Sequence, residues 1–170
     1  MEIIQITSAK SALLLLAISF ACISFAQNSK NDSSEKNAAS VKALVNSRQY
    51  VFKAQAALPL SGGLRQLTGG YDMNVSKDTT QANLPYFGRA YVAPADPTQG
   101  GIKFTSTQFD YSVLERKKGG WDVTFKIKDV PDVRQMILTI SGDGYASLTV
   151  YSNNRQAITF NGVIEDKKSR

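Results

Sequence analysis

From Tyr50 to Ile164 the chain contains short runs in which apolar residues recur at every second position, the spacing that most restricts what this chain can become. Trp121, Val123, Phe125 and Ile127 alternate with Asp122, Thr124, Lys126 and Lys128. Met136, Leu138 and Ile140 repeat the pattern, as do Ala146, Leu148 and Val150, and then Ile158, Phe160 and Ile164. Side chains on a strand point alternately to its two faces, so a period of two means one buried face and one wet face. Sheets wet on one face are characteristically antiparallel.

The remaining strands follow the same reading. Tyr50, Phe52 and Ala54 open a run that stops at Leu58-Pro59. Tyr71, Met73 and Val75 make a short strand, Thr79 to Leu84 its partner, Ile102 and Phe104 another, and Phe109 to Glu115 another, while Leu64 to Leu67 fits either strand or loop. Ser61-Gly62-Gly63, Thr68-Gly69-Gly70, Lys77-Asp78, Arg116 to Gly120 and Ser141 to Gly144 carry turn residues. Asn153-Asn154 reads as a two-residue hairpin turn, because Asn tolerates left-handed backbone. Ahead of the strands, Val41, Leu44 and Val45 share one face of a short helix from Ala38 to Ser47. Short strands joined by turns predict a mainly β protein, an antiparallel meander of about eight or nine strands. Its form is a barrel or half-open barrel, lipocalin-like, or a sandwich, with one short N-terminal helix.

The N-terminus has a different logic. Lys10 stands beside an apolar run from Ala12 to Ala26, which ends in Ser24-Phe25-Ala26. A short charged region, an apolar core and small residues at the end make a secretory signal, so residues 1–26 are expected to be removed by cleavage before Gln27. The run is shorter than the ~20 residues a spanning helix needs. Lipidation at Cys22 is the alternative, but Ser19-Phe20-Ala21 lacks the leucine that lipoprotein signals place three residues before the cysteine. Residues 27–40 are polar and cannot bury enough surface to order themselves, so they read as a linker to one domain over 41–166. The expected location is outside the cytoplasm, periplasmic or extracellular.

Cys22 is the only cysteine and there is no histidine, so the domain after the leader has neither. Disulfides, thiol nucleophiles, Ser-His-Asp triads and ordinary zinc sites are thereby excluded. Carboxylate, Lys or Tyr catalysis remains chemically open. Asp129, Asp132 and Asp143 lack the dense oxygen spacing of a calcium loop, so no metal or cofactor is expected. The net charge of +6 is spread along the chain apart from Arg116-Lys117-Lys118 and the basic tail. Diffuse charge on an exported protein points to solubility or anionic surfaces, and no nucleic-acid partner is expected.

Two segments, Asn83-Leu84-Pro85-Tyr86-Phe87-Gly88-Arg89-Ala90-Tyr91 and Ser152-Asn153-Asn154-Arg155-Gln156 with the Ile158 to Gly162 stretch that follows, carry a resemblance. The chain from about Val41 to Ile164 resembles a family of small exported Gram-negative bacterial proteins catalogued as a domain of unknown function. The resemblance implies an exported, single, β-rich domain and brings no catalytic residues. Some members of that family look lipid-anchored.

The long connection from Leu84 to Gly101 is the most unusual segment, and long loops in small domains are often functional. Tyr86, Phe87 and Tyr91 surround Arg89 there, a set that can stack on a sugar or peptide or hold an anionic head group. The competing reading has the rings plugging one end of the β structure and Arg89 in a buried ion pair. Arg155 can grip a carboxylate bidentately, or it can brace the Asn153-Asn154 hairpin against a nearby Asp or Glu. Tyr145 and Tyr151, with Ser147 and Thr149, form a polar stripe that is either a binding face or an ordinary solvated strand face. The expected function is a non-catalytic binding module for an apolar or amphipathic ligand or an envelope component. The ligand-binding residues would be Tyr86, Phe87, Arg89, Tyr91 and Arg155, and the partner a lipid-like ligand or an envelope protein. The alternative is a structural or protein–protein interaction domain of the envelope with no small-molecule ligand, ahead of an enzyme.

Overall fold

The computed structural model describes residues 36–92, 100–117 and 119–167. The expected leader and cleavage site, Cys22, Pro94 and Pro97 lie outside the described residues. Helix α1 covers 36–47, and ten strands follow. They are β1 (Tyr50–Pro59), β2 (Arg65–Gln66), β3 (Asp72–Val75), β4 (Thr80–Leu84), β5 (Ile102–Ser106), β6 (Phe109–Glu115), β7 (Trp121–Ile127), β8 (Val133–Ile140), β9 (Tyr145–Ser152) and β10 (Ile158–Asp166).

The sheet runs β5-β4-β3-β1-β10-β9-β8-β7-β6, every pair antiparallel, with the two-residue β2 beside β1. The meander becomes a nearly closed barrel through two joins. One is the pairing of the first and last strands, from Tyr50↔Asp166 to Pro59↔Ile158. A register shift falls between Ala54 and Ala56, opposite Gly162, where a Cβ would stand 1.9 Å from the Lys53 carbonyl oxygen. The other join is covalent. The end strands β5 and β6 are linked only by Thr107 and Gln108, so the strand that pairs with β4 passes directly into the strand that pairs with β7. Asp129, in the β7–β8 connection, accepts from the Thr107 and Gln108 amides at 2.8 and 3.1 Å and from the Ser106 hydroxyl. These three donors hold its carboxyl below the usual carboxylate range.

The period of two has its physical cause inside the barrel. Phe52, Met73, Phe125, Met136, Leu138, Leu148 and Phe160 present no surface that a water-sized sphere can reach. They belong to one apolar cluster fed by every strand from β1 to β10 except β2 and β6, with β6 adding the half-buried Phe109 and Tyr111. The barrel centre is therefore occupied by its own side chains, as is common for small barrels. On the outside, cross-strand polar pairs such as Thr149–Thr159 at 3.0 Å and Thr139 to Asp122 at 2.8 Å replace apolar contact.

Helix α1 lies over one end of the barrel. It buries Val41 and Val45, sets Ala38 beside Gly142 in the β8–β9 turn, and reaches β6 through Lys42 and Glu115. Tyr111 donates to the Val45 carbonyl at 3.1 Å, and the helix ends at Arg48 in left-handed backbone with φ 53°. The helix starts earlier than Ala38, so part of the expected linker, 36–40, is helical. Burial of Val41 and Val45 supplies the stabilisation that the polar composition of that stretch lacks.

Candidate functional site

The opposite end of the barrel gathers the connections that follow β1, β4, β7 and β9. Arg155 stands at its centre. One guanidinium nitrogen lies 2.9 Å from an Asp132 carboxylate oxygen, and another donates to the Gly101 carbonyl at 2.9 Å. Its flat face covers the Tyr86 ring at 5.2 Å from the centroid. Tyr86 in turn donates its hydroxyl to the carbonyls of Arg89, at 2.9 Å, and Gln156, at 3.2 Å. Burial raises the Tyr86 hydroxyl above its ordinary pKa, and the Arg155 charge opposes that shift.

Backbone bonds lock the same residues together. Ala90 bridges Arg155, the Tyr91 amide donates to the Asn154 carbonyl at 2.8 Å, and the Gln156 amide donates to Arg89 at 3.0 Å. The Asn153 side chain and amide donate to Pro131 and Asp132 carbonyls at 2.7 and 2.8 Å. The result is a hydrogen-bonded knot tying the β4–β5, β7–β8 and β9–β10 connections. Asp132 Oδ1 and Gln156 Oε1 are buried in it and accept no hydrogen bond among the described residues, which leaves two acceptor positions unused.

Of the five residues singled out from sequence, Tyr86 and Arg155 meet directly. Phe87 stacks under a different arginine, Arg65 of β2, at 5.0 Å. Arg89 is exposed and takes part through its carbonyl, not its charge, so the expected buried ion pair at Arg89 is instead formed by Arg155 with Asp132. Tyr91 is 66% exposed. The expected two-residue turn at Asn153-Asn154 is a correction. The β9–β10 connection spans 153–157, and Arg48 is the one non-glycine with positive φ among the described residues. The asparagine polar groups bond across to the β7–β8 connection, which removes the need for a tight left-handed turn.

Sequence reasoning missed the apolar rim of this end. Leu58, Leu60 and Leu64 are exposed where β1 runs out toward β2, with Leu60 at 72%, and Tyr91 and Val92 are exposed where the β4–β5 connection crosses Asn154. The Leu-Pro-Leu-Ser-Gly-Gly-Leu spacing from Leu58 to Leu64 was the available signal, since leucines flanking a turn have no strand face to hide on. Elsewhere, Tyr145, Ser147, Thr149 and Tyr151 do share the outer face of β9, where Ser147 and Thr149 pair with Asn161 and Thr159 of β10. Asp143 accepts from Ser141 in the β8–β9 turn, whereas Asp129 and Asp132 share the β7–β8 connection and bond to Thr107 and Arg155 respectively.

Fold and site together define a small antiparallel barrel with a packed centre, a helix over one end and an arginine-tyrosine knot at the other. The family model for a domain of unknown function, DUF4251, matches residues 32–164, and the chain belongs to that family. A crystal structure of a DUF4251 family protein from Bacteroides eggerthii DSM 20697 is similar in fold, with a TM-score of 0.56 and 20% sequence identity. The similarity covers 79% of this chain and 88% of that one. No curated protein matches the chain.

Proposed function

We propose that this protein is a non-catalytic, exported binding module that engages an amphipathic segment of another envelope component through the rim of its Tyr86–Arg155 end. The supporting observation is the placement of exposed Leu58, Leu60, Leu64, Tyr91 and Val92 at the mouth of a barrel whose centre is already filled. Apolar side chains clustered at one end of a small domain mark an interaction site more often than scattered ones do. The polar half of the partner has a counterpart in the exposed Arg89. A rigid knot beneath the rim keeps these groups in place before binding, which lowers the entropic cost of association. In this reading residues 1–26 direct export and leave by cleavage before Gln27.

A photo-crosslinking amino acid at Leu60 or Tyr91 tests the proposal in producing cells, with the exposed Leu114 of β6 as control. Protein adducts of defined mass from positions 60 and 91, absent from 114, are the expected result. Equal labelling from all three positions overturns it. So does a lipid retained in native mass spectrometry by the Leu60→Ser, Tyr91→Ser double variant, since that places the ligand inside the barrel.

A further inference from the structure

A second surface stands apart from the rim. The antiparallel register of β3, β4 and β5 places Lys103, Asn83 and Asp72 in one row across the outer face and Thr105, Gln81 and Asn74 in the next. Neighbours within a row are about 5 Å apart and the rows about 7 Å apart, from strand spacing and rise. These six side chains line an open depression of about 480 Å³. Concave sites of roughly 300–1,000 Å³ are the size range that holds small ligands.

The polar groups of this face are idle. None of the six side chains makes a hydrogen bond or ion pair among the described residues. On the outer face of β9–β10 such groups satisfy one another, as Ser147 does with Asn161 at 3.1 Å and Thr149 with Thr159 at 3.0 Å. Even Lys53, the cross-strand neighbour of Asp72, turns its ammonium the other way, to Glu165 at 3.0 Å.

The chemistry of the six selects the ligand. Asn74, Gln81 and Asn83 each offer donors and an acceptor on one planar amide, Asp72 accepts, Lys103 donates, and Thr105 does both. Asp72 and Lys103 cancel in charge across Asn83, so an ion of either sign meets one like charge and gains little over a neutral molecule. Adjacent hydroxyls of a sugar, each donor and acceptor, match this grid. We infer that the outer face of β3–β4–β5 binds a short neutral oligosaccharide.

The test is NMR titration of the folded domain with maltohexaose, cellohexaose, laminarihexaose and mannohexaose, each to about 10 mM so that a millimolar Kd is visible. The expected result is that at least one probe shifts the side-chain amide signals of Asn74, Gln81 and Asn83. Gln81→Ala with Lys103→Ala, both at exposed positions, should leave the backbone spectrum unchanged and weaken that binding by about tenfold or more. No shift with any of the four probes overturns the inference. Shifts that survive the double substitution, or that map to the Leu60 and Tyr91 rim, overturn it as well.

Discussion

Arg155 and Asp132 form an ion pair at 2.9 Å with 15% and 26% of their side chains exposed, and it joins the β9–β10 connection to the β7–β8 connection. Removing the cation strands a partly buried carboxylate and frees the Gly101 carbonyl. Arg155→Ala should therefore lower stability by about 2 kcal/mol, less than the 3–5 of a fully buried pair. Arg155→Lys should not restore it, because an ammonium lacks the fork that reaches Asp132 and Gly101 together. Urea unfolding midpoints of the three proteins check this, and full recovery by lysine would refute the role assigned to the fork.

Asp129 gives the seam between β5 and β6 an acid sensitivity. Its folded-state pKa is lowered by the Ser106 hydroxyl first, then by the Thr107 and Gln108 amides. A carboxyl in an unfolded chain titrates near about pH 3.9. The stabilisation from Asp129 is thus complete above that value and disappears as pH falls through the lowered native pKa. Thermal melts of wild type and Asp129→Asn should differ by a constant amount near neutral pH and converge in acid. A difference independent of pH would count against the carboxylate as the clamp.

Tyr50 and Tyr111 meet under helix α1 with their hydroxyls 3.3 Å apart. Tyr111 donates to Val45, so Tyr50 donates to Tyr111. Tyr111→Phe leaves the buried Tyr50 hydroxyl without its acceptor and should cost about 1–2 kcal/mol, whereas adding Tyr50→Phe should cost less than additivity requires. Burial raises both hydroxyls above the usual tyrosine range, and most strongly Tyr50. Their contribution is complete below about pH 10, where unfolded tyrosines ionise, and is lost as pH rises through the folded-state values. A double-mutant cycle with alkaline melts decides the matter, and strictly additive losses would show that the hydroxyls are not coupled.

Gly162 marks where the barrel shuts. A methyl group there would stand 1.9 Å from the Lys53 carbonyl oxygen, on the ladder that pairs first and last strands. Gly162→Ala should separate β1 from β10 locally and destabilise by about 3 kcal/mol. Gly63→Ala meets nothing within 4 Å and serves as the neutral control. Amide exchange along Lys53 to Ala57 reports the opening, and unchanged protection would mean that the strands accommodate the methyl.

How far the fold could be read from sequence follows from the range of the forces involved. Phe109–Glu115 and Trp121–Ile127 begin and end where alternation and turn residues place them. Each strand is specified by neighbours along the chain, because the pleat alternates faces whatever the strand pairs with. The site was less legible. Tyr86 and Arg155 were both recognisable as unusual, but Tyr86 bonds to a carbonyl 70 residues away, and no local pattern says which arginine reaches which ring. Arg89 is nearer in sequence to the aromatics, yet Arg65 and Arg155 cover them.

By itself the sequence determined an antiparallel β meander with one helix, and a domain without the Cys and His chemistries. Alternation and residue type act locally and need no knowledge of the whole. Tertiary structure alone decided that β1 closes on β10, that Asp132 neutralises Arg155, and that the polar face of β3–β4–β5 stays unpaired while that of β9–β10 does not. Those outcomes depend on strand register and on the path of loops between distant segments, which only the folded chain brings within reach of short-range hydrogen bonds and ion pairs.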